Sequence, residues 1–448
     1  MSACTGPIRV PFVFVLAAAF IAATAAPAIS QTCSASPSWV ENPILPESLD
    51  ESNHCNFAIF SWQSFLALMQ PSGGPDGQLV FESYMSSDAL FVTEGEQPAA
   101  WGKSPWPLTL GKINLQAGSD QPLFSQSTEL VQYDISVNKP MYNYISKNLL
   151  YQAKCFNAGG GKVLMPPTTD PSTGASSIVL KTSWLPMSSC DPEQYHCTTT
   201  LLEGRKQTVG LVGIHIVQKL AKHQEWIWSS FEHVNNAPDC AKVTSPPPGY
   251  RHWAFFGQGS SIAGEACVNC NDFNRTPPNV CREQPLLSLK CKASGQLKAG
   301  EDPDSNNVVC LNESVPALLP PSSVWKNYML VGTLWFKPGM TTPNPTVPTQ
   351  IEVGNLNLSN TTMETFKQGL NCFSCHTPQF RNAELGENNN AQADFSHIFT
   401  RIQALGDPAK SCPQLQELKA SHGADAAAAP DRVKLMSSHA THTGQQNQ

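Results

Sequence analysis

Cys372-Phe373-Ser374-Cys375-His376 is the stretch of this 448-residue sequence whose residue types and spacing specify a chemistry. Two thiols three positions apart fall on one side of a helical turn, and an imidazole follows directly. That arrangement suits addition of both thiols to the two vinyl groups of a haem, with the imidazole reaching under the ring to the iron. The motif predicts one covalent haem c, with Cys372, Cys375 and His376 as cofactor-binding residues and His376 as the proximal ligand. Two rival chemistries use similar residues. A structural zinc site needs four ligands, and no second pair of suitable spacing follows. A thioredoxin-like pair would open a helix after a strand. The other close pair, Cys267 and Cys270, precedes Asn271 instead of histidine, so it reads as disulfide cysteine.

The sixth position on the iron is open to several residues. Met363 precedes the motif by about two helical turns, and Met436 follows it at a distance a small cytochrome could use. His215 and His233 belong to the body of the chain and reach the iron only if that body docks on the haem segment. His397 falls off the apolar face of its predicted helix and is expected in solvent. His422, His439 and His442 read as tail residues. A protein ligand at this position would suit electron transfer, whereas an open position would suit small-molecule chemistry.

The elements that must position these groups are mostly β. Thirty-seven prolines and 29 glycines point to a loop-rich body, because proline interrupts helices and sheet ladders alike. The pattern predicts an α+β chain: a large mostly-β N-terminal domain with few helices, then a small α-helical haem segment. Apolar residues at 58, 62, 65, 66 and 69 recur at helical spacing and predict a buried helix with Trp62 in the core. A second helix is possible within Ser136 to Tyr151. Residues 209–217 and 226–234 alternate as an antiparallel strand pair separated by a polar linker from Ala221 to Glu225, with Trp226 and Trp228 on one face. A further strand is expected from Tyr328 to Trp335.

The boundaries follow from composition. Residues 1–30 have the layout of a signal peptide, with Arg9, an apolar run from Val10 to about Ala26, and small residues near Ala28 and Ser30. The run is short for a span of about 30 Å, so no stable membrane span is expected after cleavage. The mostly-β domain covers 31–337, with a disulfide-rich insertion at 240–310. A proline-rich linker covers 338–350, the haem segment 351–420, and a disordered tail 421–448. Within the haem segment, Thr361 and Glu364 have capping-box spacing for a helix running into Cys372. Phe395, Ile398, Phe399 and Ile402 predict another.

Fifteen cysteines are normal in an oxidising compartment and costly in a reducing one, which points to the periplasm. Cys4 leaves with the leader, and the two haem cysteines leave twelve for six disulfides. A net charge of −7 with 14% charged residues and no basic cluster argues against nucleic acid as a partner.

Trp62-Gln63-Ser64-Phe65-Leu66-Ala67-Leu68, His215-Ile216-Val217-Gln218-Lys219 and Trp226-Ile227-Trp228-Ser229-Ser230-Phe231-Glu232-His233-Val234, with the late motif at Cys372, resemble a family of exported bacterial monohaem cytochrome c-family proteins. Asn360-Thr361-Thr362-Met363-Glu364-Thr365-Phe366 and Tyr328-Met329-Leu330-Val331-Gly332-Thr333-Leu334-Trp335 belong to the same resemblance, which spans about residues 56 to 400. Asn235 stands where that family has aspartate, and the 240–310 excursion is longer. The resemblance implies export and one covalent haem.

Two functions compete. In the first, the haem relays electrons to a periplasmic redox partner protein. In the second, the large domain binds a small-molecule substrate and the chain is a haem-dependent oxidoreductase. That reading rests on polar residues in otherwise apolar strands, with His215, Lys219, Glu232 and His233 as candidate catalytic residues; each also reads as a buried polar group satisfied by its neighbours.

Overall fold

The computed structural model describes residues 32–413 apart from several breaks, the longest at 104–108, 166–175, 241–252, 258–278 and 338–351. The expected leader at 1–30, the linker at 338–350, the tail at 421–448, Met436, Cys267 and Cys270 lie outside the described residues.

Eleven strands are described: β1 (Met85–Ser86), β2 (Thr109–Leu110), β3 (Gln132–Val137), β4 (Lys162–Val163), β5 (Ile178–Pro186), β6 (Cys197–Leu202), β7 (Arg205–Leu220), β8 (His223–His233), β9 (Tyr328–Phe336), β10 (Glu352–Gly354) and β11 (Gln392–Ala393). Nine of them form one sheet in the order β1-β3-β5-β7-β8-β9-β10, with β6 also on β7 and β2 on β6. Every pairing is antiparallel except the short β2–β6 contact. A separate two-stranded parallel pair joins β4 and β11.

Seven helices accompany the sheet: α1 (Pro37–Val40), α2 (Cys55–Leu68), α3 (Ser87–Leu90), α4 (Lys139–Lys147), α5 (Ala153–Ala158), α6 (Pro303–Leu318) and α7 (Cys372–Cys375). The expected mostly-β architecture with few helices is therefore observed. Among the described residues, no helix is long and apolar enough to cross a membrane.

Strand β9 is buried at every position, so its sequence runs nearly continuously apolar. One face carries α2, as its apolar spacing predicts. Trp62 is fully buried and packs edge-on to Phe231 at 5.0 Å. Ser61 shares hydrogen bonds of 2.7 Å with Ser229 and with Thr333, and the Ser64 hydroxyl donates to Gln218 at 3.1 Å. Helix α6 packs behind α2 and β9, so α2 is apolar around most of its circumference.

Several elements differ from the sequence expectation. The possible helix at 136–151 splits: residues to Val137 continue β3, and the Asn138 side chain caps α4. The β7–β8 connection is tighter than a linker from Ala221 to Glu225, because β8 already begins at His223. Helix α6 begins inside the disulfide-rich insertion expected at 240–310. Its start is set by Asp302, whose carboxylate accepts from Asp304 N and Ser305 N at 3.1 Å each, and by Pro303 in its first turn.

The segment after 351 is not a separate helical domain. Strand β10 adds to the edge of β9, and Phe373, Phe395 and Phe399 belong to the same apolar core as Trp62 and Phe231. The capping-box helix from Thr361 is replaced by turns. The Thr361 hydroxyl and backbone N–H both donate to the Glu232 carboxylate, at 2.5 and 2.7 Å. The helix predicted at 395–402 is reduced to a 3₁₀ turn, His397–Arg401, because Asp394 and Phe395 both take positive φ (45° and 61°).

Among the described residues there are five disulfides: Cys33–Cys55, Cys155–Cys412, Cys190–Cys197, Cys240–Cys281 and Cys291–Cys310. Cys155–Cys412 spans 257 residues and ties the last described segment to α5. Replacing both by Ser is expected to lower stability by about 4 kcal/mol, since closing a long loop restricts the unfolded chain most. Urea unfolding of the oxidised protein measures this. A loss under about 1 kcal/mol would show that Lys154, which donates to the Asp407 and Pro408 carbonyls at 2.8 and 3.0 Å, holds the segment without the cross-link.

Candidate functional site

Asn371 starts α7. Its side-chain oxygen accepts from Ser374 N at 3.0 Å, and its amide donates to Glu352 Oε2 on β10 at 2.9 Å. The cap is thus fixed to the sheet edge. Phe373 is fully buried, with ring centroids 4.5 Å from Phe336 and 5.8 Å from Phe395. Positions 372 and 375 share a side of the helical turn that 373 does not, so burying Phe373 turns both thiols outward. Cys375 is exposed and Cys372 half-buried. Disulfides take every other described cysteine, leaving these two free. Burial pushes the Cys372 thiol well above its ordinary range. It is held as a thiol, unlike the low-pKa thiolate of a redox-active pair.

The sheet supplies the opposite wall. Ile135, Lys181, His215 and Ser230 are in register across β3, β5, β7 and β8, so their side chains share one face. Lys181 Nζ donates to the Gln116 carbonyl at 2.8 Å and lies 5.6 Å from the Tyr133 ring centre. Burial lowers its pKa, and the charge of Glu364 opposes that shift. Between this row and α7 lie two cavities of about 300 and 310 Å³, both walled by Lys181, His215, Trp228 and His376. Cys372, Cys375, Met363 and Glu364 line one of them; Trp226 and His397 line the other.

Two glycines allow the segment after 354 to lie close on this face. A Cβ at Gly213 would come within 2.5 Å of the Thr362 hydroxyl, and one at Gly332 within 2.6 Å of Asn355 Cβ. The close approach brings Glu364 Oε1 to 3.4 Å from His215 Nε2, an ion contact without hydrogen-bond geometry.

His376 is half-buried between Trp228, 4.6 Å away between ring centroids, and His397, 4.5 Å away. Burial, followed by the charge of His397, holds its pKa well below the usual value, so the ring is neutral. The ring is hydrogen-bonded to the Phe395 backbone, while Nδ1 is buried without a partner. His397 repeats this pattern: a hydrogen bond to the Thr377 backbone and an unpartnered Nε2. Its pKa is also lowered by burial. It is therefore not the solvated residue that helical phase predicted, because the positive-φ step at 394–395 rotates it inward.

Buried polar atoms ordinarily have partners. Around these cavities, His376 Nδ1, His397 Nε2, His215 Nε2 and Glu364 Oε2 do not. An iron-ligating imidazole is typically anchored through one nitrogen and open at the other, as His376 is here. Free thiols at attachment spacing and a neutral imidazole beside a cavity make a donor set that fits a haem c. Among the described residues, no group of three or more His, Cys, Asp or Glu side chains is placed to hold a bare metal ion.

The remaining candidates lie elsewhere. Glu232 is fully buried and saturated: it accepts from Arg282 Nε at 2.8 Å, from Thr361 N at 2.7 Å and from the Thr361 hydroxyl. Lys219 is fully buried in an ion pair with Asp394. His233 uses both ring nitrogens, on the Gln194 carbonyl (2.8 Å) and Asn235 N (3.1 Å). Burial pushes its pKa down to about 4. None of these three lines either cavity, whereas His215 lines both. Met363 is buried in an apolar cluster with Val212 and Tyr133 and touches the cysteine-lined cavity.

Lys181 and Glu364 belong to the site but were not singled out as site residues from the sequence. The available signal for Lys181 was a lone charge after Ile178, Val179 and Leu180. Glu364 was taken up by the capping-box reading.

No family model, no curated protein and no solved structure matches the chain.

Proposed function

We propose that the chain is a periplasmic c-type cytochrome that carries one haem on Cys372 and Cys375, with His376 on the iron, and exchanges single electrons with a redox partner protein. The observation that carries this reading is a pair of free thiols, in a chain whose other described cysteines are all in disulfides, beside an imidazole with one nitrogen anchored and the other unclaimed. When bound, the haem supplies a one-electron iron couple whose potential depends on axial ligands and burial. Asn371 and Phe373 orient the thiols, while the Trp228 ring packs against His376. Cys375 is exposed, so the attachment edge lies where a protein partner can approach. The disulfides are in keeping with an oxidising compartment.

The alternative, a haem-dependent oxidoreductase with a small-molecule substrate, draws on the second cavity of about 300 Å³, where Lys181 and His215 stand ready to contact a ligand. Visible spectroscopy separates the two. Reduced protein in alkaline pyridine is expected to show one haem c per chain, and its absence would overturn both readings. Carbon monoxide that leaves the reduced spectrum unchanged supports the electron carrier; a prompt shift supports the enzyme.

A further inference from the structure

We infer that His215, on the central strand β7, takes the sixth position on the iron. The assignment rests on the haem reading above. Apart from the lysines, of which Lys181 is engaged on the Gln116 carbonyl at 2.8 Å, three described side chains near the thiols and His376 carry a nitrogen or sulfur that can ligate iron: His215, His397 and Met363.

Axial ligands must face each other across the porphyrin plane. His397 is stacked on His376, with centroids 4.5 Å apart and planes 32° apart. Rings in that relation present their faces to each other, not their nitrogens. His397 also lines only the cavity that lacks the two thiols. Met363 is 1% exposed within an apolar cluster, where a thioether is satisfied without iron.

His215 differs on each count. It comes from the sheet, facing α7, and walls both cavities, including the one that holds Cys372 and Cys375. Its Nε2 is buried and lacks a hydrogen bond, although Glu364 Oε1 lies 3.4 Å away. Strand β7 is flanked by β5 and β8 at this register, between Lys181 and Ser230, so the ring is set by rigid structure and not by a loop.

The test uses purified haem-loaded protein with visible and electron paramagnetic resonance spectra. Wild type is expected to be six-coordinate and low-spin. His215→Ala should retain covalent haem, become high-spin and bind carbon monoxide, and added imidazole should restore the low-spin spectrum. His215→Met, a second variant that keeps a ligand, should stay low-spin and gain a thioether-to-iron charge-transfer band. A high-spin wild type, or a His215→Ala protein with haem attached and an unaltered low-spin spectrum, overturns His215 while leaving the haem reading intact. Loss of the pyridine haemochrome in wild type overturns the haem reading itself.

Discussion

Replacing Cys372 and Cys375 together by Ala is expected to abolish covalent haem entirely and leave the fold standing. The reason for the second half lies in where the thiols sit. Cys375 is exposed, Cys372 half-buried, and neither takes part in a disulfide. The contacts that hold α7 in place belong to Phe373 and Asn371, which the double variant retains. Cys372 packs on the edge of the core, so its truncation costs about 1 kcal/mol, an ordinary point-mutant loss that leaves the protein folded. Denaturing electrophoresis with haem staining reads the covalent link, and circular dichroism of the same sample reads the fold. Either single variant keeps one attachment point and is expected to retain a weaker stain. A stain of wild-type strength in the double variant would refute the attachment.

The haem motif was legible because its information is local: five consecutive residues contain both the thiol spacing and the imidazole. Helix α2 and the β7–β8 pair were legible for a similar reason, since periodicity is written along one segment. What surrounds the motif is not local. Lys181, His215 and Ser230 lie side by side only because β5, β7 and β8 adopt one register. Glu364 reaches them only because Gly213 and Gly332 admit its segment onto the sheet. The Thr361 and Glu364 spacing led toward a helix, yet a buried carboxylate more than a hundred residues upstream captured the threonine. His397 was misplaced by the assumption of regular helical phase, which two positive-φ residues break. Helix α6 was hidden by the asparagines and Pro316 within it, weak helix formers that tertiary packing and an Asp302–Pro303 start override.

That captured threonine belongs to the network whose disruption should most damage the fold. Arg282 is fully buried and contacts two carboxylates, Glu232 and, at 3.1 Å, Asp239. Glu232 is held in turn by Thr361, and Asp239 accepts from Ser288 N at 2.7 Å. One guanidinium therefore joins the disulfide-rich insertion, strand β8 and the segment leading to the thiols. Arg282→Met leaves two carboxylates in the interior without their cation, and breaking a buried pair in this way costs about 3–5 kcal/mol. A lowered urea midpoint measures it. Combining Arg282→Met with Glu232→Leu removes the stranded charge at β8 and is expected to recover part of the loss, as apolar replacements of buried pairs do. Recovery should be incomplete, because Thr361 N and its hydroxyl then lose their acceptor. A cost below about 1 kcal/mol for the single variant, the range of an exposed ion pair, would show that the network does not hold these elements together. The same variant bears on the site, because Thr361 stands three residues before Glu364. If Glu232 sets that segment on the sheet, Arg282→Met should also weaken the low-spin spectrum assigned to His215, although Arg282 lines neither cavity.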